Sequence, residues 1–204
     1  PQGGRLRGGG RPCGRGVRGT RVPGDHLADR LTASAAKLLG AALSASGRTL
    51  AVAESCTGGL LGGAITSIPG SSLYFSGGVV AYGNSAKISL LGVPPDLIAA
   101  RGAVSREVAL AMAEGVLSLF RADLAIAVTG VAGPGGGSRG KPVGTVWLAV
   151  VAPGGVRYAH RFRFPGGREA VRRETVRASL RAAIDVLQSE AAAAAEPSPA
   201  RETR

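Results

Sequence analysis

Ser55, Cys56 and Thr57 share one short polar turn between the apolar run Leu50–Ala53 and the pair Gly58-Gly59. A hydroxyl or thiol there leaves the end of a strand and faces the free N–H groups of whatever helix follows, a setting that favours attack on a carbonyl. Ser55 is the expected nucleophile. Cys56 is its rival, since a helix N-terminus lowers a thiol pKa, although small cysteines are also common in cores. Glu54, just before the turn, has three readings: a general acid, a partner for a lysine, or a charge held at the helix N-terminus.

A nucleophilic serine needs a base. The chain has two histidines, His26 and His160, and neither lies near the turn in sequence, which disfavours a Ser-His-Asp arrangement. Of its 25 basic residues, 22 are arginine and only Lys37, Lys87 and Lys141 are lysine. Lysine can be neutralised by desolvation and arginine cannot. Lys87 is therefore the candidate base, against the plainer reading of a solvated helix lysine.

A second polar turn follows another apolar run, Asp123–Thr129. Thr129 is placed to hydrogen-bond a substrate or Lys87, or to cap the loop. Beyond it, Gly133, Gly135 and Gly136 with Arg139 and Lys141 resemble an anion cradle, because bare amides approach phosphate oxygens closely. This is not a Walker A sequence, as no Ser or Thr follows the lysine. Arg168, Arg172 and Arg173 offer further phosphate contacts or form a solvated helix face. Tyr82 is a candidate for stacking on a ring, as are Tyr74 and Trp147 unless they are core.

These residues need elements to place them. Helical periodicity runs from Asp25 to Leu43, a strand over Arg48–Ala53, and a helix over Gly58–Thr66. A second strand over Leu73–Tyr82 has its bulge at Gly77-Gly78, and Asn84 is expected to cap a short helix that Gly92 and Pro94-Pro95 end. Ser105 caps a longer helix to Phe120, with Val108, Met112, Val116 and Leu119 on one face. Asp123–Thr129 reads as a strand covered on both sides. Val143–Val151 and Val156–Phe164 form an antiparallel hairpin, and Gly167–Leu187 is the last helix. Together they predict a three-layer α/β/α domain over residues 25–188 with a mixed, mostly parallel sheet. In such folds both polar turns lie at the same sheet edge when their strands are parallel neighbours.

The net charge of +12 is uneven: residues 1–24 hold six arginines, nine glycines and no acid. That composition predicts a disordered arm, either a solvated extension or a holder of phosphates. It has no aromatic residue for base stacking, which weighs against nucleic acid as a partner. Residues 189–204, with a Pro-Ser-Pro sequence, are expected to fray. No run approaches a membrane span and no secretory leader opens the chain, so a cytoplasmic protein is expected. The two cysteines give neither a disulfide framework nor a metal cluster.

Six ordered blocks carry a resemblance. They are Ala-Glu-Ser-Cys-Thr-Gly-Gly at 53–59, Phe-x-Gly-Gly-Val-Val-x-Tyr at 75–82, Lys87 with Leu-Gly-Val at 91–93, Gly-Ala-Val-Ser at 102–105, Thr-Gly-x-Ala-Gly-Pro-x-Gly-Gly at 129–137 and Lys-Pro-Val-Gly-Thr-Val-Trp at 141–147. Over about Asp25–Leu187 the chain resembles the CinA C-terminal domain family. The resemblance implies a nicotinamide-nucleotide amidase of pyridine nucleotide salvage. Nicotinamide mononucleotide would be its substrate, Ser55 its nucleophile, and Lys87 and Thr129 the matching companions, with no metal or cofactor. Amides of Cys56, Thr57 and Gly58 would hold the oxyanion, and the Gly loop or the arginines the phosphate. Gly83-Asn84-Ser85-Ala86 departs from the family's usual Ser-Asn-Glu-Ala, so an acidic neighbour of Lys87 is missing. No counterpart of the larger N-terminal domain of two-domain CinA proteins is present, so its activities are not expected. The competing reading is a non-catalytic module that binds nucleotides or nucleic acid, and a homo-oligomer stays open.

Overall fold

Five apolar runs become strands, and their order in the sheet is not their order in the chain. In the computed structural model, which describes residues 25–195, the strands are β1 (Leu50–Glu54), β2 (Phe75–Val80), β3 (Leu124–Gly130), β4 (Thr145–Ala152) and β5 (Val156–Arg163). They pair as β2-β1-β3-β4-β5. β1 is parallel to β2 and β3, while β4 is antiparallel to both β3 and β5. Four strands therefore run one way and β4 runs against them. The sheet is mixed, as the alternation of elements predicts, and β4–β5 is the expected hairpin.

Six helices cover the two faces: α1 (Asp25–Ser46), α2 (Leu60–Thr66), α3 (Asn84–Leu91), α4 (Pro95–Arg101), α5 (Arg106–Phe120) and α6 (Arg168–Ala195). Strand alternation divides the core between them. Leu50, Val52, Leu124, Ile126, Val128, Leu148 and Val150 face α1, α2 and α6. Their neighbours Ala51, Ala53, Ala125, Ala127 and Ala149 face the other way, against Val108, Met112 and Val116 of α5. Alanines leave room for the bulk to come from the helix, so α5 seats closely on the strands. Each fully buried Leu, Ile or Val contributes about 1.5–3 kcal/mol.

Several boundaries differ from the sequence reading, each for a local reason. Gly58 and Gly59 have φ of +57° and +94°, so α2 starts at Leu60 and the nucleophile turn is longer than expected. Asn84 is the first residue of α3, not its cap; Gly83 precedes it and no side-chain cap forms. α3 ends at Leu91 with Gly92 as its left-handed cap, as expected, but Pro95 then opens a further helix, α4, that the sequence reading did not place, at a position where a missing N–H costs no helix bond. Ser105 does cap α5, its Oγ accepting from the Val108 N–H at 3.3 Å, but Leu119 lies outside the buried stripe and is exposed. Ser71–Leu73 is a 3-10 turn, so β2 is shorter than expected. Leu50 is opposite Phe75 and Ala51 opposite Gly77, which makes Ser76 the extra residue of the bulge. α6 does not stop at Leu187; its alanine-rich end continues to Ala195, as the high helix propensity of alanine allows. The expected arm over 1–24 and the rest of the tail, 196–204, lie outside the described residues. Among those described, no helix is long and apolar enough to cross a membrane.

Candidate active site

β1 and β3 run parallel with Glu54 opposite Val128, so their two polar turns leave the same edge of the sheet. The Ser55 N–H extends that pairing to the Val128 carbonyl at 3.0 Å. Strand parity then sends neighbouring side chains to opposite faces. Ser55 follows Ala53 towards the side of α3 and α5; Glu54 follows Val52 towards α2.

On the Ser55 side, α3 delivers Lys87. Its side chain is 1% exposed, and Nζ lies 3.1 Å from Ser55 Oγ, 2.8 Å from the Ala81 carbonyl oxygen and 3.2 Å from that of Tyr82. Burial pushes the Lys87 pKa down, partly opposed by the nearby Cys56. No carboxylate is paired with Lys87 among the described ion pairs, in keeping with the missing acid in the 83–86 segment. Nζ donates to all three oxygens, and the two carbonyls can only accept; when burial removes one proton, two N–H groups still serve the carbonyls and the lone pair turns to the serine hydroxyl, which can donate. The geometry therefore suits Lys87 as the acceptor of the Ser55 proton.

On the other side, Glu54 is 2% exposed, and its carboxylate accepts from the N–H groups of Gly59 (3.0 Å), Leu61 (3.1 Å) and Gly62 (2.8 Å). It holds the first turn of α2 and does not line the cavity at Ser55. Of its three readings, the structure supports the anion at a helix N-terminus. Glu54 is thus neither a substrate contact nor a partner of Lys87.

The serine cavity has a volume of about 210 Å3 and is lined by Ser55, Cys56, Tyr82, Asn84, Lys87, Ala103, Val104, Thr129, Gly130, Ala132 and Arg168. Cys56 is buried, and burial pushes its thiol up to about 11, opposed by its own backbone N–H, with the Glu54 charge adding and Arg172 and Lys87 opposing. The helix-terminus effect expected for it is outweighed, and the thiol is protonated at neutral pH. Thr129 is in the wall, but its hydroxyl donates to the Ala103 carbonyl at 2.8 Å rather than to Lys87, leaving only its acceptor lone pairs for a ligand. Gly130 has no room for a side chain, since a Cβ would sit 2.9 Å from the Thr145 carbonyl oxygen and 3.1 Å from Cys56 Sγ.

The amides of the turn are mostly engaged. Gly58 N–H donates to the Ser55 carbonyl at 3.2 Å, so it is not an oxyanion donor as expected. Gly59, Leu61 and Gly62 serve Glu54, which leaves Cys56 and Thr57 as the turn amides that none of these bonds uses.

At the mouth, Tyr82 is 56% exposed, and its hydroxyl accepts from Arg168 Nη2 at 2.7 Å while Arg168 Nη1 donates to the Gly133 carbonyl at 3.0 Å. Arg168 thereby joins the 133–137 loop to the site. The rest of the expected cradle is elsewhere. Gly135, Gly136 and Arg139 are exposed and outside the cavity wall. Lys141 Nζ donates to the Arg101 carbonyl at the end of α4, at 2.7 Å. Its ammonium ties down a helix end; it does not face Ser55. His160 is exposed on β5 between Tyr158 and Phe162. Tyr74 and Trp147 pack with the core.

Sequence reasoning did not assign Asn84, Ala103, Val104, Gly130 or Ala132 to the site. Gly-Ala-Val-Ser at 102–105 was a visible signal for two of them, as one of the six blocks that carry the family resemblance.

The comparisons with known proteins agree with this architecture. The CinA C-terminal domain profile matches residues 32–187. A CinA-like protein of Desulfotalea psychrophila is 52% identical over 159 residues, which are 77% of this chain and 38% of that protein. The chain thus spans well under half the length of this curated relative. A crystal structure of a competence/damage inducible protein of Agrobacterium tumefaciens superposes with a TM-score of 0.75 at 44% identity, covering 78% of this chain and 96% of the other. A CinA superfamily protein of Escherichia coli gives a TM-score of 0.70 at 32% identity, covering 83% and 94%. By profile, sequence and fold together, this chain belongs to the CinA C-terminal domain family.

Proposed function

We propose that this chain is a nicotinamide-nucleotide amidase, hydrolysing nicotinamide mononucleotide to nicotinate mononucleotide and ammonia. The observation that carries the reading is the buried Lys87 amine 3.1 Å from Ser55 Oγ, with no carboxylate to hold it charged. Such a pair activates a hydroxyl at a pH where free serine is inert.

In the proposed reaction the Ser55 proton passes to Lys87 Nζ as Oγ attacks the carboxamide carbon. The N–H groups of Cys56 and Thr57 are the available donors for the oxyanion. The C–N bond breaks, Lys87 returns the proton to the leaving ammonia, and water resolves the acyl-serine with Lys87 again as base. A volume of about 210 Å3 is below the roughly 300–1,000 Å3 of pockets that enclose drug-sized ligands. The pyridine carboxamide therefore enters the cavity and the ribose phosphate remains at its mouth, where Arg168 and Tyr82 stand.

Ammonia release from nicotinamide mononucleotide by purified protein tests the proposal. The wild type is expected to turn over and Ser55→Ala to fall to background. No turnover by wild type, combined with equal nucleotide binding by both proteins, would support the non-catalytic binding module instead.

A further inference from the structure

Arg172, one turn into α6, reaches across 115 residues of sequence to the nucleophile turn. Its Nε and Nη2 both donate to the Thr57 carbonyl, at 3.2 and 2.7 Å. We infer that Arg172 is a positioning residue for catalysis, holding the Thr57–Gly58 peptide so that the unused amides of Cys56 and Thr57 keep their place beside Ser55. The inference rests on Ser55 as the nucleophile.

The argument begins with the backbone. Gly58 and Gly59 both have positive φ, and two successive glycines make the adjoining peptides easy to rotate. The Thr57–Gly58 peptide plane is anchored at each end: its oxygen by Arg172, with a long 3.4 Å contact from the Leu60 N–H, and its N–H by the Ser55 carbonyl at 3.2 Å. Without the guanidinium, the strongest hold on the oxygen is gone. The Thr57 side chain gives little replacement, since it is fully buried and its Oγ1 has no hydrogen-bond partner.

A guanidinium suits this duty better than an ammonium, because two N–H groups in one plane fix the direction of the carbonyl as well as its position. Its bonds go to a neutral oxygen, so its charge is not cancelled there. With its guanidinium at the Thr57 carbonyl, that charge lies beside the turn and favours negative charge there. Arg172 also lines an open groove of about 580 Å3 between α1, α2 and α6. A small cation can therefore enter where the side chain has been removed.

The test uses Arg172→Ala and Arg172→Lys in the full chain, read in two ways: the burst of p-nitrophenol as p-nitrophenyl acetate acylates the serine, and steady-state release of ammonia from nicotinamide mononucleotide. Loss of positioning is expected to lower the burst rate and kcat roughly 100-fold with little change in KM. Guanidinium chloride, well below denaturing concentrations, is expected to restore part of the burst in Arg172→Ala, while Arg172→Lys remains slow. A thermal melt distinguishes misfolding, and for a destabilised variant guanidinium rescue of the burst remains decisive. A burst as fast as wild type, a rise in KM with kcat unchanged, or a slow variant that guanidinium does not rescue would each overturn the inference. A wild type that takes the acetyl group but releases no ammonia defeats the substrate assignment alone, and the burst comparison still decides the role of Arg172.

Discussion

Glu54 and Lys87 are both buried ionisable side chains packed against one turn, and the fold treats them in opposite ways. Three backbone N–H groups surround the Glu54 carboxylate, so its oxygens are hydrogen-bonded by protein in place of water. Lys87 meets only two carbonyls and a hydroxyl, and no opposite charge. Burial then acts against its charged form. The first arrangement builds a helix end; the second sets beside Ser55 an amine whose charged form burial disfavours. A buried charge is thus no sign of chemistry by itself, and its partners decide.

Substitution of Lys87 is the strongest way to break this contrast. Lys87→Met is expected to lower kcat by about 10²–10⁴-fold, the usual weight of a general base. In the wild type, activity should rise with pH through a pKa lower than the ordinary lysine value of 10.5, because the neutral amine is the active form. The same shift has a stability signature. The folded-state pKa lies below the unfolded one, so between the two the folded chain binds fewer protons and stability increases with pH. Lys87→Met should remove that slope in urea titrations; a variant that keeps it would show that another group is responsible.

Glu54→Ala should instead cost stability, about 3 kcal/mol, since it strips a charged acceptor from three amides of which Leu61 N–H is buried. Chemical denaturation measures this, and a loss of activity without a loss of stability would move Glu54 back among the functional residues. Cys56→Ala is expected to have the smallest effect, with amidase activity near wild type and stability lower by about 1 kcal/mol for the lost buried sulfur. If it abolished activity while Ser55→Ala did not, the nucleophile would be the thiol.

Much of the site was legible in the sequence for identifiable reasons. Ser55 was visible because strand endings and glycine turns are local patterns, and Lys87 because lysine is rare in a chain that otherwise uses arginine. Arg139 and Lys141 were misplaced because a glycine loop with cations looks alike whether its charges face a ligand or a carbonyl such as that of Arg101. The start of α4 at Pro95 was missed because a proline pair after a helix signals its end and the start of the next one alike, and only the following turn shows the second.

The sequence by itself determined the mixed α/β class and the family, since strand periodicity and ordered motifs are properties of the chain read along its length; the shared edge of the two polar turns waited on the parallel pairing of β1 with β3. The tertiary structure decided what no spacing contains. It brought Lys87 to Ser55 across 32 residues and Arg172 to Thr57 across 115, sent Glu54 to α2, and kept Lys141 at the end of α4. Those outcomes depend on which face a side chain takes and how far an amine or guanidinium must reach to find oxygen away from water, and both are settled only when the layers pack.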